Sequence, residues 1–132
     1  MVSPAAPVGL ADTSVFIAAE SGRPVVGTPP ERIMVSIVTI AELRVGVLAT
    51  PDLAVRNRRL ATLHQAQTLL PAMIDDEVAT RWAELRVRLR DAGRSMPVND
   101  SWIAATALAA GVPVVTQDAD YDDVPGLAVI RV

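Results

Sequence analysis

Two apolar runs in this chain end the same way, in an aspartate. Val8-Gly9-Leu10-Ala11 stops at Asp12, and Val112-Pro113-Val114-Val115-Thr116-Gln117 stops at Asp118. Short apolar runs bounded by turn formers are the pattern of strands buried in a parallel sheet. Open α/β folds gather their chemistry just beyond the carboxyl ends of such strands. In a parallel sheet both ends fall on one edge, which makes Asp12 and Asp118 candidate neighbours.

The stretches between these runs read as helices and further strands. Asp12 and Thr13 are good helix N-caps ahead of the apolar Val15–Ala19. A Gly/Pro-rich loop follows over Ser21–Pro30, then a strand over Arg32–Val35, and Ser36 caps a helix over Ile37–Ala49. Pro51 opens another helix, with Leu53, Leu60 and Leu63 roughly on one face. Thr68–Ile74 holds a short strand that Pro71 weakens. In Asp76–Ala92, Val78, Trp82, Leu85 and Leu89 form one apolar stripe, with acids at the start and arginines at the end to match the helix dipole. Gly93 stops that helix. Pro97-Val98-Asn99 leads into an Ala-rich helix over Asp100–Ala110, closed by Gly111, and Leu127–Arg131 is a last strand. Strands alternating with helices predict an α/β domain with a central parallel sheet covered on both faces.

The 132 residues suit one domain with one core. That domain spans residues 8–132, with 1–7 as a disordered extension. Aromatic residues are few, so the core is built from Val, Leu, Ile and Ala, which suits helices packed closely on a sheet. The start lacks the basic-then-apolar pattern of a signal peptide, and no apolar run reaches the ~18 residues of a membrane span. With no cysteine to form disulfides, a cytoplasmic location is the expectation.

Composition also prunes the chemistry. Every basic residue is Arg, so enzyme classes that need a lysine amine are excluded, P-loop nucleotide hydrolases among them. The single histidine, His64, lies in the third predicted helix, away from every candidate site residue. With no other His and no Cys, a Ser-His-Asp triad lacks its base and a zinc site lacks its ligands.

What remains is carboxylate chemistry. Asp100 stands in the first turn of a helix whose flank is Ala104, Ala105 and Ala107, small enough to approach the sheet closely. Glu42 is the one acid in the otherwise apolar helix Ile37–Leu48, where a lone carboxylate is costly. Each has a plainer reading: Asp12 or Asp100 as a helix cap, Glu42 as the partner of Arg44 or another Arg, Asp122 and Asp123 as a solvated turn. Agreement of Asp12, Glu42, Asp100 and Asp118 on one edge favours a site. Two like charges ~4 Å apart repel by about 4 kcal/mol at an effective dielectric near 20. Such a cluster takes up protons or a hard divalent cation, Mg²⁺ or Mn²⁺. Carboxylate-bound metal without His or Lys suits phosphodiester hydrolysis.

These residues also match a known family. Asp12-Thr13-Ser14, Ala41-Glu42-Leu43-Arg44-Val45-Gly46, Asn99-Asp100 with Ile103-Ala104-Ala105-Thr106-Ala107, and Thr116-Gln117-Asp118-Ala119-Asp120-Tyr121 together resemble a PIN domain. Among PIN domains, the likeness is to the VapC ribonuclease toxins of bacterial toxin–antitoxin pairs. The resemblance implies a three-layer α/β/α sandwich and Mg²⁺- or Mn²⁺-dependent endonucleolytic cleavage of single-stranded or loop RNA. It implies a metal and catalytic site of Asp12, Glu42, Asp100 and Asp118, with Asp120 as a fifth acid and Thr13 and Thr116 in support. It also implies a homodimer and a small VapB-type antitoxin that inserts a segment, often with an Arg, into the acidic site. Tyr121 stands where Phe is more usual, and Trp102 where a smaller apolar residue is common. Asn often takes the place of Asp118, which gives that residue a smaller share in holding metal.

RNA that approaches acids needs flanking cations. Arg44, the cluster Arg56, Arg58 and Arg59, and the series Arg81, Arg86, Arg88, Arg90 and Arg94 are candidates, against the plainer reading of a solvated face with helix pairs such as Glu84–Arg88. Trp82 reads as core, and Trp102 as a candidate to stack on a base. Two other functions share the fold: a stand-alone PIN ribonuclease in RNA maturation, and a catalytically silent PIN module that serves only as a binding surface. Clustered acids, costly to keep, speak against the silent module.

Overall fold

The computed structural model describes residues 7–132. The expectation of a disordered extension over residues 1–7 therefore lies outside the described residues save for Pro7, whose carbonyl accepts from the Arg32 N–H at 3.1 Å. Five strands form one parallel sheet in the order β3-β2-β1-β4-β5. They are β1 (Val8–Ala11), β2 (Arg32–Ser36), β3 (Leu70–Ala72), β4 (Val114–Thr116) and β5 (Val129–Arg131). The helices are α1 (Thr13–Glu20), α2 (Ile37–Leu48), α3 (Leu53–Gln67), α4 (Asp76–Asp91) and α5 (Val98–Ala110).

Side-chain alternation along the strands makes the two faces. Leu10 and Val114 point to one side, where they join Leu85 and Leu89 of α4 and Ile103, Ala104 and Ala107 of α5. Ala11, Val35 and Val115 point to the other, beneath Val15 and Phe16 of α1, Leu43 and Val47 of α2, and Leu63 and Ala66 of α3. This is the three-layer sandwich expected from the sequence. The centre of the sheet is tight: a Cβ on Gly9 would stand 2.7 Å from Val115 Cγ2 and 2.8 Å from the Pro30 ring.

The order of the strands matters most for function. The chain lays β2 and β3 outward on one side of β1, then returns to place β4 on the other. That reversal is the switch point where doubly wound sheets open a crevice at their carboxyl edge. Here it lies between β1 and β4, with Ala11 paired to Val115 and the Asp12 N–H donating to the Val115 carbonyl at 3.0 Å.

Several sequence expectations shift. Helix α5 begins at Val98 rather than Asp100, with Pro97 at its N-cap, so Asp100 sits inside the first turn. Helix α3 begins after Asp52, whose side chain caps it, rather than at Pro51. Strand β4 is confined to Val114–Thr116, and β5 starts at Val129 instead of Leu127. In α3, Leu63 is buried while Leu53 is 70% exposed. At ~100° per residue Leu53 and Leu63 lie about 80° apart round the helix, and only the face of Leu63 and Ala66 meets the sheet. Strand β3 does contain Pro71, and it is an edge strand, the place a proline tolerates. Among the described residues, no helix is long and apolar enough to cross a membrane.

Candidate active site

The carboxyl edge between β1 and β4 collects acids from four separate parts of the chain. Asp12 follows β1, Asp118 follows β4, Asp100 is delivered by the first turn of α5, and Glu42 by the middle of α2. Together with Thr13, Ser14 and Arg23 they line one open cavity of about 340 Å³. Asp120 stands outside this lining, exposed, and its charge acts on Asp100. A second cleft, between α4 and the turn ahead of β5, offers only Glu84 as an acid, between Arg81 and Arg88.

Local sequence explains each placement. The stretch Asp12-Thr13-Ser14 turns from strand to helix, with Asp12 at the N-cap of α1. Its side chain caps no backbone N–H. Instead it accepts the Ser14 hydroxyl proton at 2.6 Å. Ser14 in turn accepts the Gln117 N–H at 3.0 Å and lies 3.3 Å from the Thr116 hydroxyl. Thr116 accepts the Asp118 N–H at 2.9 Å, which fixes the start of the acidic turn. Ser14 is thus the junction between the two strand ends. Ser14 is not among the candidate site residues read from the sequence; its place two residues after Asp12, at the start of a helix, is the signal that marks it.

The Thr13 hydroxyl lies 2.7 Å from Glu42 Oε1 and 3.1 Å from the Thr39 hydroxyl. A hydroxyl has one proton, and the carboxylate can only accept, so Thr13 donates to Glu42. Glu42 is accordingly held by α1, and the plainer alternative of an ion pair with Arg44 or another Arg does not form among the described residues. Asp100 receives the Tyr121 hydroxyl at 3.3 Å. The turn of α5 that carries it is steadied from α4, where Trp82 Nε1 donates to the Ser101 hydroxyl at 2.9 Å.

Trp82 and Trp102 stack on each other, with centroids 4.4 Å apart and planes 4° from parallel, and Arg86 lies 5.4 Å above Trp82. One face of Trp102 is therefore covered by Trp82, not offered to a base. The arginines are also largely committed to the protein. Arg56 and Arg59 donate to the carbonyls of Thr50 and Gly46, Arg94 to those of Asp122 and Asp123, and Arg58 lies 3.9 Å from Glu20. Glu84 pairs with Arg81 at 3.7 Å instead of Arg88, and Asp122 with Arg131 at 2.9 Å instead of standing free in solvent. The arginine that lines the acidic cavity is Arg23, absent from the sequence candidates, with its guanidinium 3.2 Å from Gln117 Oε1.

Electrostatics mark the site as strained. Burial pushes the Asp12 carboxyl up to about 6, the charge of Asp118 adds to this, and the hydroxyls of Ser14 and Thr116 oppose it. Burial likewise pushes Asp100 up to about 6, reinforced by Asp120 and, less strongly, by Asp12 and Glu42. The Tyr121 phenol is driven well above its ordinary range by burial and by the neighbouring negative charges, so it stays protonated and donates. The donors are all hard oxygens, and buried Asp12 and the half-buried Glu42, Asp100 and Asp118 lack cationic partners among the described residues, which fits a hard divalent cation in charge and donor type. Their convergence is looser than a finished cage: among the described residues, no three acids are gathered closely enough to clasp one ion as they stand.

Comparison with known proteins gives a consistent result. A family model described as "PIN domain" matches residues 10–127. The chain is 45% identical over 125 residues to Ribonuclease VapC5 of Mycobacterium tuberculosis, covering 94% of this chain and 93% of that protein. It is also 45% identical over 128 residues to Ribonuclease VapC4 of the same organism, covering 93% and 95%. Among solved structures, the VapBC-5 toxin–antitoxin crystal structure from M. tuberculosis superposes with a TM-score of 0.84 at 43% identity, covering 96% of this chain and 99% of that one.

Proposed function

We propose a function from one premise: the chain belongs to the PIN-domain family, and within it to the VapC ribonucleases. It is the toxin of a two-protein toxin–antitoxin pair, an endoribonuclease that cleaves single-stranded or loop RNA with Mg²⁺ or Mn²⁺ and works in the cytoplasm. The observation that carries this reading is the meeting of Asp12, Glu42, Asp100 and Asp118 at the β1/β4 switch point, in one cavity open to a polymer.

The acids divide the work. Asp12 and Asp100, the two whose ionisation burial opposes most, are the principal metal holders, and a cation there converts their cost into binding. Glu42 and Asp118 complete the set, and Asp120 adds charge from the rim. When bound, the divalent ion supplies Lewis-acid chemistry at the phosphodiester and at the attacking water. Ser14 holds the Asp12 carboxylate by a hydrogen bond, and Thr13 does the same for Glu42. Thr116 holds the backbone from which Asp118 projects. Arg23 faces the same cavity and holds a phosphate of the RNA, since its planar fork matches phosphate oxygens.

An antitoxin silences such a site by filling it. The acidic cavity shares Thr13, Ile17 and Glu42 with a neighbouring one whose wall is completed by Leu43, Gly46, Glu20 and Arg59. A VapB-type segment that places a cationic side chain among the acids and an apolar one against Ile17 satisfies both. The toxin acts as a homodimer, following the family resemblance.

The test is cleavage of mixed single-stranded RNA by purified protein, with Mg²⁺ or with chelator, beside Asp12→Asn and Asp100→Asn. Wild type should cut only with metal, and either substitution should abolish cutting while the fold survives. Equal cutting by all three proteins would overturn the reading.

A further inference from the structure

We infer that Tyr121 is a positioning residue for Asp100: its buried hydroxyl holds that carboxylate in the orientation a divalent cation will meet. The inference rests on the metal-site reading above and goes beyond it by assigning a residue from the core.

Tyr121 is fully buried, and its ring packs in the same core as Leu10, Ile103 and Val114. A phenol placed there needs an acceptor, because a buried hydroxyl without one is costly. Its acceptor among the described residues is Asp100 Oδ1 at 3.3 Å. The ring is locked by packing, so the hydroxyl donates along one fixed direction and limits how the carboxylate turns. The link is also tertiary. Tyr121 belongs to the turn that follows Asp118 and Asp120, whereas Asp100 belongs to α5. That turn is itself closed by backbone bonds from Asp122 N–H to the Ala119 carbonyl at 3.0 Å and from Val124 N–H to the Tyr121 carbonyl at 3.4 Å. One side chain thereby ties the two acid-bearing segments to a common frame. Groups that orient metal ligands from behind commonly change affinity or activity by about 10–100-fold when removed. A bond of this length belongs at the lower end.

The experiment uses Mn²⁺ alone as probe, by calorimetric titration of wild type, Tyr121→Phe and Asp100→Asn at pH 7.5. Phe keeps the ring and removes only the hydroxyl. A Kd for Mn²⁺ raised about tenfold in Tyr121→Phe, with kcat largely recovered at saturating Mn²⁺, supports the assignment. An unchanged Kd, while wild type binds and Asp100→Asn does not, overturns it and leaves the metal site standing. If wild type binds no Mn²⁺, the metal-site reading fails and this one with it. A second measurement needs no Tyr variant. The chain has a single tyrosine, so protein labelled with ¹³C at the tyrosine Cζ gives one resonance. It should move on addition of Mg²⁺ in wild type and stay still in Asp100→Asn; a resonance indifferent to Mg²⁺ in wild type overturns the inference.

Discussion

The Ser14 hydroxyl donates to Asp12 at 2.6 Å while accepting the Gln117 N–H at 3.0 Å, so one small side chain spans the ends of β1 and β4. Ser14→Ala leaves a buried-edge N–H and the Asp12 carboxylate each short of a partner. It is expected to lower unfolding stability by about 1–3 kcal/mol and RNA cleavage at least about tenfold. Ser14→Thr, which keeps the hydroxyl, should restore part of both. Urea unfolding beside initial cleavage rates checks this, and an unaffected Ser14→Ala would remove Ser14 from the site.

Stability of the metal-free protein should fall as pH rises through the range of its buried acids. A carboxyl raised from 3.8 to about 6, as Asp12 is, favours the folded state fully below pH 3.8 and loses that contribution as pH climbs through 6. Asp100 acts in the same direction. Asp12→Asn is therefore expected to stabilise the chelated protein by about 3 kcal/mol at pH 8 and to change little at pH 4. Denaturation in EDTA across that range measures it. Added Mn²⁺ should stabilise wild type more at pH 8 than at pH 5.

Arg23 should be felt in RNA binding more than in bond breaking. Arg23→Gln is expected to raise KM several-fold with kcat little changed. It should also reduce the slope of log affinity against log salt by about 0.7, the value for one phosphate contact on a single strand. Titrating labelled single-stranded RNA against Asp100→Asn, with and without the Arg23 change, isolates binding from cleavage. An unchanged salt slope would argue that Arg23 serves the protein alone.

The Trp82–Trp102 stack should prove structural. Trp82→Phe removes the donor to Ser101 and part of the ring overlap, and is expected to cost about 1–2 kcal/mol of stability. Single-stranded RNA affinity should hold at temperatures where the variant is folded. A drop in affinity without a drop in stability would make the pair a base-stacking platform instead.

Much of this molecule was legible in its sequence because local rules and tertiary needs agreed. The apolar runs ending at Asp12 and Asp118 announced buried parallel strands, Gly93 and Gly111 closed α4 and α5 where positive φ was needed, and Ser36 capped α2. Ala104, Ala105 and Ala107 foretold a helix pressed against the sheet, and all are fully buried. The candidate acids were legible for a physical reason as well, since a chain without Lys or Cys and with one distant His leaves little else to do chemistry.

What the sequence by itself determined, then, is the set of elements and the stock of candidate acids, because periodicity and capping are properties of short stretches and the choice of reactive groups is a matter of composition. Only the tertiary structure decided who holds whom. Ser14 reaches across to β4, Glu42 takes Thr13 rather than Arg44, Trp102 meets Trp82, and Arg23 faces the acids while the arginines of α3 are committed elsewhere. Those partnerships join residues up to 103 positions apart. The reach of Ser14 and of Arg23 to Gln117 is fixed by the return of β4 to the side of β1, and the other partnerships by how the helices pack, global choices that no local pattern encodes.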